Sequence, residues 1–219
     1  MKKINILFLT ICATLALNSV YAQAQLALGL KGGLNFSSVN SSNTTSFASA
    51  YDSRTGYHYG AYLLVKLTKI GIQPEILFSQ QGHTFTFNSQ NYKSNYNYIC
   101  IPVILKLYLA GGFNLQTGVQ FGFLSSATGD LINTSTGAVT TGQDLKNFVS
   151  STDFSIPVGF GWDLPFGLNF AARYNIGISD INKYTGTSSP ATVSSLGTTQ
   201  AKSQTIQISV GYRLFKFGK

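Results

Sequence analysis

Hydrophobic and polar residues alternate along most of this chain. Eight segments show the alternation, and they cover residues 26–36, 57–67, 70–78, 99–109, 113–123, 154–164, 166–178 and 206–214. In each segment every second residue is apolar or aromatic, with Gly32, Pro74 and Thr117 as the exceptions, and none of these positions is charged. A period of two is typical of β-strands that present one face to an apolar environment. The pattern therefore predicts eight amphipathic strands.

The opposite face of the same segments is polar, small or ionic. Its charged residues include Lys31, Lys66, Glu75, Lys106, Arg173 and Arg213, which we interpret as a structural charge network inside a closed barrel. A barrel of eight strands has an interior just wide enough for side chains. The sequence therefore predicts a lumen that is filled by side chains rather than an open pore.

The connections between the segments alternate between long and short. The short ones are 68–69, 110–112 and Pro165, whereas the long ones (37–56, 79–98, 124–153 and 179–205) are rich in Ser, Thr, Asn and Gly. Tight turns at one end and long loops at the other are typical of outer-membrane barrels, with the turns in the periplasm and the loops outside the cell. We predict an all-β fold, an eight-stranded antiparallel up-and-down transmembrane β-barrel in the outer membrane of a Gram-negative bacterium.

A soluble barrel of the lipocalin type would show the same alternation with its apolar face turned inward. Two features favour the membrane barrel. Charged residues make up 10% of the chain, which is too few for an ordinary solvated surface. Aromatic residues also recur on the apolar face near the segment ends, where we expect them to form girdles at the lipid headgroups: Tyr57, Tyr59, Phe123, Phe154, Trp162, Phe166 and Tyr212.

The first 24 residues are typical of an export signal. Lys2 and Lys3 precede an apolar stretch over residues 4–16, and the chain can be cleaved after Ala22 or after Ala24. We expect a signal peptide over 1–24 and an outer-membrane β-barrel domain over 25–219, and the sequence leaves the two cleavage sites open. Cleavage would leave Cys100 as the single cysteine, which cannot form an internal disulfide.

Five stretches resemble successive strands of one known family. Residues 29–38, 73–82, 101–108, 172–181 and 211–217 are similar, in this order, to the PorT-like outer-membrane β-barrel proteins of Bacteroidetes. The resemblance spans nearly the whole chain after the signal. It implies an eight-stranded barrel similar in shape to OmpA and OmpX, and it offers an accessory role in a type IX secretion or gliding assembly as an alternative function.

No residue pattern points to an enzyme. His58 and His83 are the two histidines, and we interpret both as polar residues at the loop ends of strands because no serine lies in a nucleophile motif. No cluster of His, Cys or carboxylate residues has metal-ligand spacing, and Asp130 and Asp144 stand isolated. We therefore predict no catalytic, cofactor-binding or metal-binding residues and no cofactor.

The net charge of +8 does not indicate nucleic-acid binding, because no basic cluster with interleaved aromatic residues is present. The expected partners are outer-membrane lipid, the outer-membrane assembly machinery during biogenesis, and envelope or secretion proteins. The function that the sequence favours is a non-enzymatic barrel that is structural or binds at the surface through its extracellular loops.

Two finer expectations concern single residues. Glu75 is the one acidic residue in the middle of a predicted strand, and Lys66 and Lys106 on the adjacent strands lie at heights compatible with contact to it. A carboxylate among several cations should stay ionised. Pro74, Pro102 and Pro157 interrupt predicted strands, and we expect β-bulges there because proline cannot donate a ladder hydrogen bond.

Overall fold

The computed structural model describes residues 24–41, 49–87, 90–132, 138–147, 149–180 and 201–218. Residues 1–23 of the predicted export signal lie outside this part of the chain, as do residues 181–200 of the last predicted loop. In this described part of the chain, no helix has the length and apolar character needed to span a bilayer.

Nine strands account for most of the described chain. They are β1 (Gln25–Ser41), β2 (Ser49–Leu67), β3 (Ile70–Phe87), β4 (Gln90–Tyr108), β5 (Phe113–Ile132), β6 (Val139–Asp144), β7 (Thr152–Asp163), β8 (Leu168–Gly177) and β9 (Ala201–Phe217). Eight of them form a closed antiparallel ring in which each strand pairs with the next, β5 pairs with β7, and β9 returns to β1. The short β6 pairs with β5 outside this ring. The predicted eight-stranded up-and-down barrel is confirmed.

The two faces of the strands separate as the alternation predicts. Large apolar side chains such as Leu30, Ile72 and Leu115 are exposed on the outside of the barrel. Polar residues of the other phase, such as Asn35, Gln116 and Gln207, are almost fully buried in the lumen. A sheet with this inverted distribution needs an apolar solvent around it, which a bilayer provides.

Most strands are longer than the alternation alone predicts. β1 continues to Ser41, β3 to Phe87 and β5 to Ile132, so much of the sequence predicted as loops 37–56, 79–98 and 124–153 is strand. The predicted strands were too short because the outward face changes from apolar to polar where the strands leave the apolar belt, the band of exposed apolar side chains around the barrel. Hydrogen-bonded pairing between strands continues there although the hydrophobic signal ends.

The prolines do not produce bulges, and that expectation was wrong. Pro74 pairs with Val103, Pro102 with Gln120 and Pro157 with Asn175, and the register on either side of each proline is unchanged. The missing N–H interrupts the pairing locally without inserting a residue. Register shifts occur elsewhere, for example between Leu28 and Gly29 and between Asn97 and Tyr98.

The short connections lie at one end of the barrel, which we call the turn side, and the long ones at the loop side. Gly111 and Gly112 adopt positive φ angles of 66° and 85° in the turn before β5, a conformation that favours glycine. The turn before β8 includes Phe166, which was predicted as the start of a strand, and ends at Gly167 with a φ of 103°. The chain needs this extra length to reverse direction.

An apolar cluster fills the lumen on the loop side. Leu145 and Val149, from the connection between β6 and β7, pack with inward-facing residues of three strands. The loop-side apolar cluster consists of Leu77, Tyr96, Tyr98, Cys100, Leu124, Ala127, Leu145 and Val149. The backbone N–H of Leu145 donates to the carbonyl oxygen of Ala127 at 2.9 Å, which ties this connection to the barrel wall.

Candidate functional site: the barrel lumen

The centre of the lumen holds a buried cluster of three charged residues. Arg173 on β8 donates to Glu75 on β3 through both terminal nitrogens, with Nη1–Oε2 3.0 Å and Nη2–Oε1 2.7 Å. The Nζ atom of Lys31 lies 3.3 Å and 3.2 Å from the two carboxylate oxygens. All three side chains are buried, so we call Lys31, Glu75 and Arg173 the ion-pair cluster.

Neutral side chains complete this cluster. Gln73 donates from Nε2 to Glu75 at 2.7 Å, and Gln116 accepts a 2.7 Å hydrogen bond from Nε of Arg173. Gln116 in turn donates to the side chain of Asn114. Buried charges are tolerated when their remaining donors and acceptors are bonded in this way.

Glycines lie beside the cationic residues in the strand pairing, and a Cβ at Gly60 or Gly159 would meet the backbone of the next strand. Lys31 pairs with Gly60 on one side and with Gly211 on the other, and Arg173 pairs with Gly159. Eight strands enclose a lumen with little space to spare. Gly60 and Gly159 therefore allow neighbouring strands of the wall to approach closely.

Lys66 and Lys106 lie away from Glu75, although the sequence places them at heights compatible with contact to this carboxylate. Both pair with Gly71, whereas Glu75 pairs with Tyr62, so four residues along β3 separate the two levels. That spacing is roughly 13 Å of strand. The register, which the sequence does not show, separates these lysines from the ion-pair cluster.

A second group of polar contacts forms at the turn side. Lys106 pairs with Asp163 at 3.0 Å, and the hydroxyl of Tyr108 donates to the same carboxylate at 2.6 Å. Lys66 places its Nζ atom 3.8 Å from the centre of the Tyr108 ring. Arg213 donates to the carbonyl oxygen of Pro165 at 2.8 Å. The predicted charge network did not include Asp163 or Tyr108, which lie at the turn-side ends of β7 and β4.

A Ser–His–Asn hydrogen-bond chain lies in the lumen, where His58 is buried within β2 rather than at a loop end. No motif in the sequence marks this hydrogen-bond chain. The Oγ of Ser209 is 2.9 Å from Nε2 of His58, and Nδ1 of His58 is 2.8 Å from Oδ1 of Asn35. Nδ2 of Asn35 donates to Ser79 and to two backbone carbonyls, so Oδ1 accepts from Nδ1–H of His58. Nε2 of His58 then accepts from the serine hydroxyl.

The distances within this Ser–His–Asn hydrogen-bond chain match those between a nucleophile, a base and a group that orients the base. Its surroundings do not provide access to a substrate, since Ser209 is 2% exposed and His58 is 1% exposed. A hydrolytic serine must reach its substrate, and these side chains are enclosed by the barrel wall. The contacts link β2, β1 and β9, which are neighbours in the barrel wall.

The predicted aromatic residues lie on the outside of the barrel in two groups. On the loop side, the rings of Tyr57 and Tyr59 stack at 6.2 Å and Phe78 extends the group, with Tyr59–Phe78 at 5.3 Å. Phe123 and the half-buried Phe154 lie at a similar distance from the turns. On the turn side, Trp162 stacks on Phe113 at 5.1 Å, and Phe166 and Tyr212 are exposed nearby. Tyr57 and Tyr59 fall mid-strand because β2 continues past them.

The remaining candidates for chemistry do not form a site, although Asp130 and Asp144 are neighbours: Asp144 pairs with Thr128, two residues from Asp130. His83 lies within β3 rather than in a loop, while Asp130 and Asp144 lie on β5 and β6. Within the described ranges, no group of three or more His, Cys, Asp or Glu residues could hold a metal ion. Cys100 is a buried free thiol in the loop-side apolar cluster.

Solved structures similar to this chain share low sequence identity with it. Neisserial surface protein A (NspA) is 11% identical, with 85% of this chain and 97% of that chain covered and a TM-score of 0.48. Ail, the attachment invasion locus protein of Yersinia pestis, is 13% identical, with 88% and 99% covered and a TM-score of 0.48. A comparison with curated protein sequences found no match.

The family described as "Outer membrane protein beta-barrel domain" matches residues 21–183. This range begins before β1 and runs past the end of β8, so it covers most of the barrel wall. The match agrees with the closed ring of strands, the apolar exterior and the polar lumen described above. This chain therefore belongs to the outer membrane protein β-barrel domain family and lies in the outer membrane of a Gram-negative bacterium.

Proposed function

We propose that this protein is a non-enzymatic outer-membrane barrel that binds at the cell surface through its loop-side strand extensions and extracellular loops. The observation that carries this proposal is the change in the outward face of the β3–β4 hairpin. Phe78 and Ile99 pair at the upper edge of the apolar belt. Above them the outward pairs are polar, with Gln80 opposite Asn97 and Thr84 opposite Lys93.

The β3–β4 hairpin therefore extends well beyond the bilayer. Crossing a bilayer takes about 9–11 tilted residues. β3 has 18 residues and β4 has 19, and their pairing continues to Phe87 and Gln90. The part above Phe78 corresponds to roughly 30 Å of paired strand. A long polar hairpin outside the membrane suits recognition better than transport.

The lumen supports a binding or structural role over a pore. The ion-pair cluster occupies the middle of the barrel, and the loop-side apolar cluster lies above it. Both clusters are built from residues of several strands. A continuous water path through the barrel would therefore require breaking buried ion pairs and apolar packing together. Breaking buried ion pairs and disrupting apolar packing both cost free energy.

An accessory role in type IX secretion or gliding is the second candidate, and the resemblance to the PorT-like proteins of Bacteroidetes supports it. Deletion of the gene separates the two functions. Normal protein secretion together with altered surface binding or envelope integrity would support the binding role. Loss of secretion would overturn it in favour of the accessory role.

A shortened hairpin tests the binding surface itself. Replacing residues 83–94 by Asn-Gly closes the hairpin at the Gly82–Asn95 pair, and this dipeptide favours a tight two-residue turn. We expect this variant to insert in the outer membrane and to show heat-modifiable migration on gels, yet to leave the surface-binding defect of the deletion strain uncorrected. Full correction by the shortened protein would contradict the proposed role of the hairpin.

The absence of enzymatic activity is tested at the buried Ser–His–Asn chain. A fluorophosphonate probe should leave Ser209 unlabelled in the folded barrel, because the serine is enclosed. Ser209→Ala provides the background signal. Stoichiometric labelling of the wild-type protein, abolished by this substitution, would overturn the non-enzymatic assignment.

A further inference from the structure

The turn-side mouth of the lumen contains a cavity of about 440 Å³. Small-molecule sites in proteins typically measure ~300–1,000 Å³. The wall of this cavity comes from the ends of several strands and from the turns before β5 and β8, including Gly111, Gly112 and Pro165. Because short turns of such barrels face the periplasm, the cavity opens toward that compartment.

Positive charge predominates in this turn-side cavity. Lys66, Lys106, Arg213 and Lys216 line it, and Asp163 is the one acidic residue among its lining residues. Asp163 is engaged by Lys106 and by the hydroxyl of Tyr108. Among the described residues, Lys66, Arg213 and Lys216 form no salt bridge. Three cations are therefore left without a carboxylate partner around one cavity.

The cavity is closed on its inner side. Gln73 forms part of its lining and contacts Glu75, so the ion-pair cluster lies directly behind it. The loop-side apolar cluster lies farther along the lumen. A ligand in the turn-side cavity would enter and leave from the periplasm, which separates this site from the surface-binding role proposed above.

One buried acceptor in the cavity wall lacks a partner. Gln73 is 2% exposed, its Nε2 donates to Glu75, and its Oε1 has no hydrogen-bond partner among the described residues. The hydrogen bond to the carboxylate fixes which atom is the nitrogen, so Oε1 is an acceptor. A buried acceptor of this kind is best satisfied by a hydroxyl or N–H donor.

We propose that the turn-side cavity binds a phosphate ester that carries a hydroxyl group, with Lys66, Arg213 and Lys216 holding the phosphate and Gln73 accepting from the hydroxyl. Arginine and lysine together suit a phosphate, since the guanidinium offers paired donors and each ammonium a point charge. A glycerol phosphate group has this chemistry. It occurs both as a free solute and as a lipid headgroup.

Calorimetric titration of the purified barrel in nonionic detergent tests the site, with glycerol 3-phosphate as the probe. We expect saturable binding of one molecule per barrel. Propyl phosphate, which lacks the hydroxyls, should bind more weakly, and Gln73→Ala should remove this difference. No saturable binding of glycerol 3-phosphate, or equal binding of the two probes by the wild-type protein, would overturn the proposal.

A matched pair of double variants separates the site from general charge effects. Lys66→Gln with Arg213→Gln should weaken binding by about tenfold or more, since two partly enclosed charge contacts are lost. Lys69→Gln with Lys146→Gln removes the same charge from two exposed positions outside the cavity lining and should leave the affinity unchanged. Equal weakening by both would overturn the site. Heat-modifiable migration of each variant verifies folding.

Competition distinguishes the sources of the phosphate ester. Displacement of glycerol 3-phosphate by dihexanoyl-phosphatidylglycerol, but not by dihexanoyl-phosphatidylcholine, would support a lipid headgroup as the natural ligand. Failure of both lipids to compete would support a free solute. Tighter binding of a hexaglutamate peptide than of glycerol 3-phosphate would overturn the phosphate assignment and indicate an acidic protein segment instead.

Discussion

Arg173 and Glu75 are 98 residues apart in the sequence, yet they form a bidentate ion pair inside the barrel. The Nη2–Oε1 distance is 2.7 Å and the Nη1–Oε2 distance is 3.0 Å. β3 and β8 are not neighbours in the ring, so this pair spans the lumen rather than one strand pairing. Lys31 joins it from β1. The cluster thus links three parts of the wall through one carboxylate.

Loss of that carboxylate charge should destabilise the barrel strongly. Glu75→Gln leaves Lys31 and Arg173 buried side by side without a counter-ion. Breaking a buried ion pair from one side costs about 3–5 kcal/mol. The free energy of unfolding, measured with urea in detergent or lipid, should fall by this order.

Asp144→Asn is the matched control, because it makes the same chemical change at an exposed residue of β6. Its carboxylate accepts one hydrogen bond from the backbone N–H of Lys146. We expect a loss of no more than about 1 kcal/mol. Equal unfolding midpoints for the Glu75 and Asp144 variants would contradict a stabilising role for the ion-pair cluster.

Asp163→Asn should have an intermediate effect. The carboxylate accepts from both Lys106 and Tyr108, but its side chain is 18% exposed at the turn side, where water can replace part of these contacts. We expect a loss of about 1–3 kcal/mol in the free energy of unfolding. Tyr108→Phe removes one of the two side chains that donate to this carboxylate, so its loss of unfolding free energy should be smaller. If Asp163→Asn lowers the free energy of unfolding more than Glu75→Gln does, burial does not determine how much each carboxylate stabilises the barrel.

Single cysteines on β3 should distinguish its two faces. In a Cys100→Ala background, Ile76→Cys places a thiol on the exposed outer face, and Ser79→Cys places one in the lumen. A maleimide confined to the bilayer should label position 76 and not position 79. Labelling of position 79 in preference to 76 would reverse the assignment of the faces.

The filled lumen should prevent steady ion flow. In planar bilayers the wild-type barrel should give only small, rare conductance events, because the ion-pair cluster and the loop-side apolar cluster occupy successive levels of the interior. Stable openings on the nanosiemens scale would show that one of these fillings moves aside.

Much of the fold follows from the sequence because a bilayer acts on every strand separately. A residue that faces lipid must be apolar whatever its strand pairs with, so the period of two is readable locally and predicts the strand number and the two faces. The same rule placed Lys31, Glu75 and Arg173 in the lumen. The signal ended where the strands left the apolar belt, which is why β3 was predicted to end at 78 and continues to Phe87.

The contacts inside the lumen were decided by tertiary structure alone. Strand register sets which inward residues share a level, and it places Lys66 and Lys106 opposite Gly71 rather than beside Glu75. Closure of the ring brings Arg173 across from β8, and no local pattern encodes that distance. The bilayer dictates which way each side chain points, whereas the stagger of the closed barrel dictates which side chains meet.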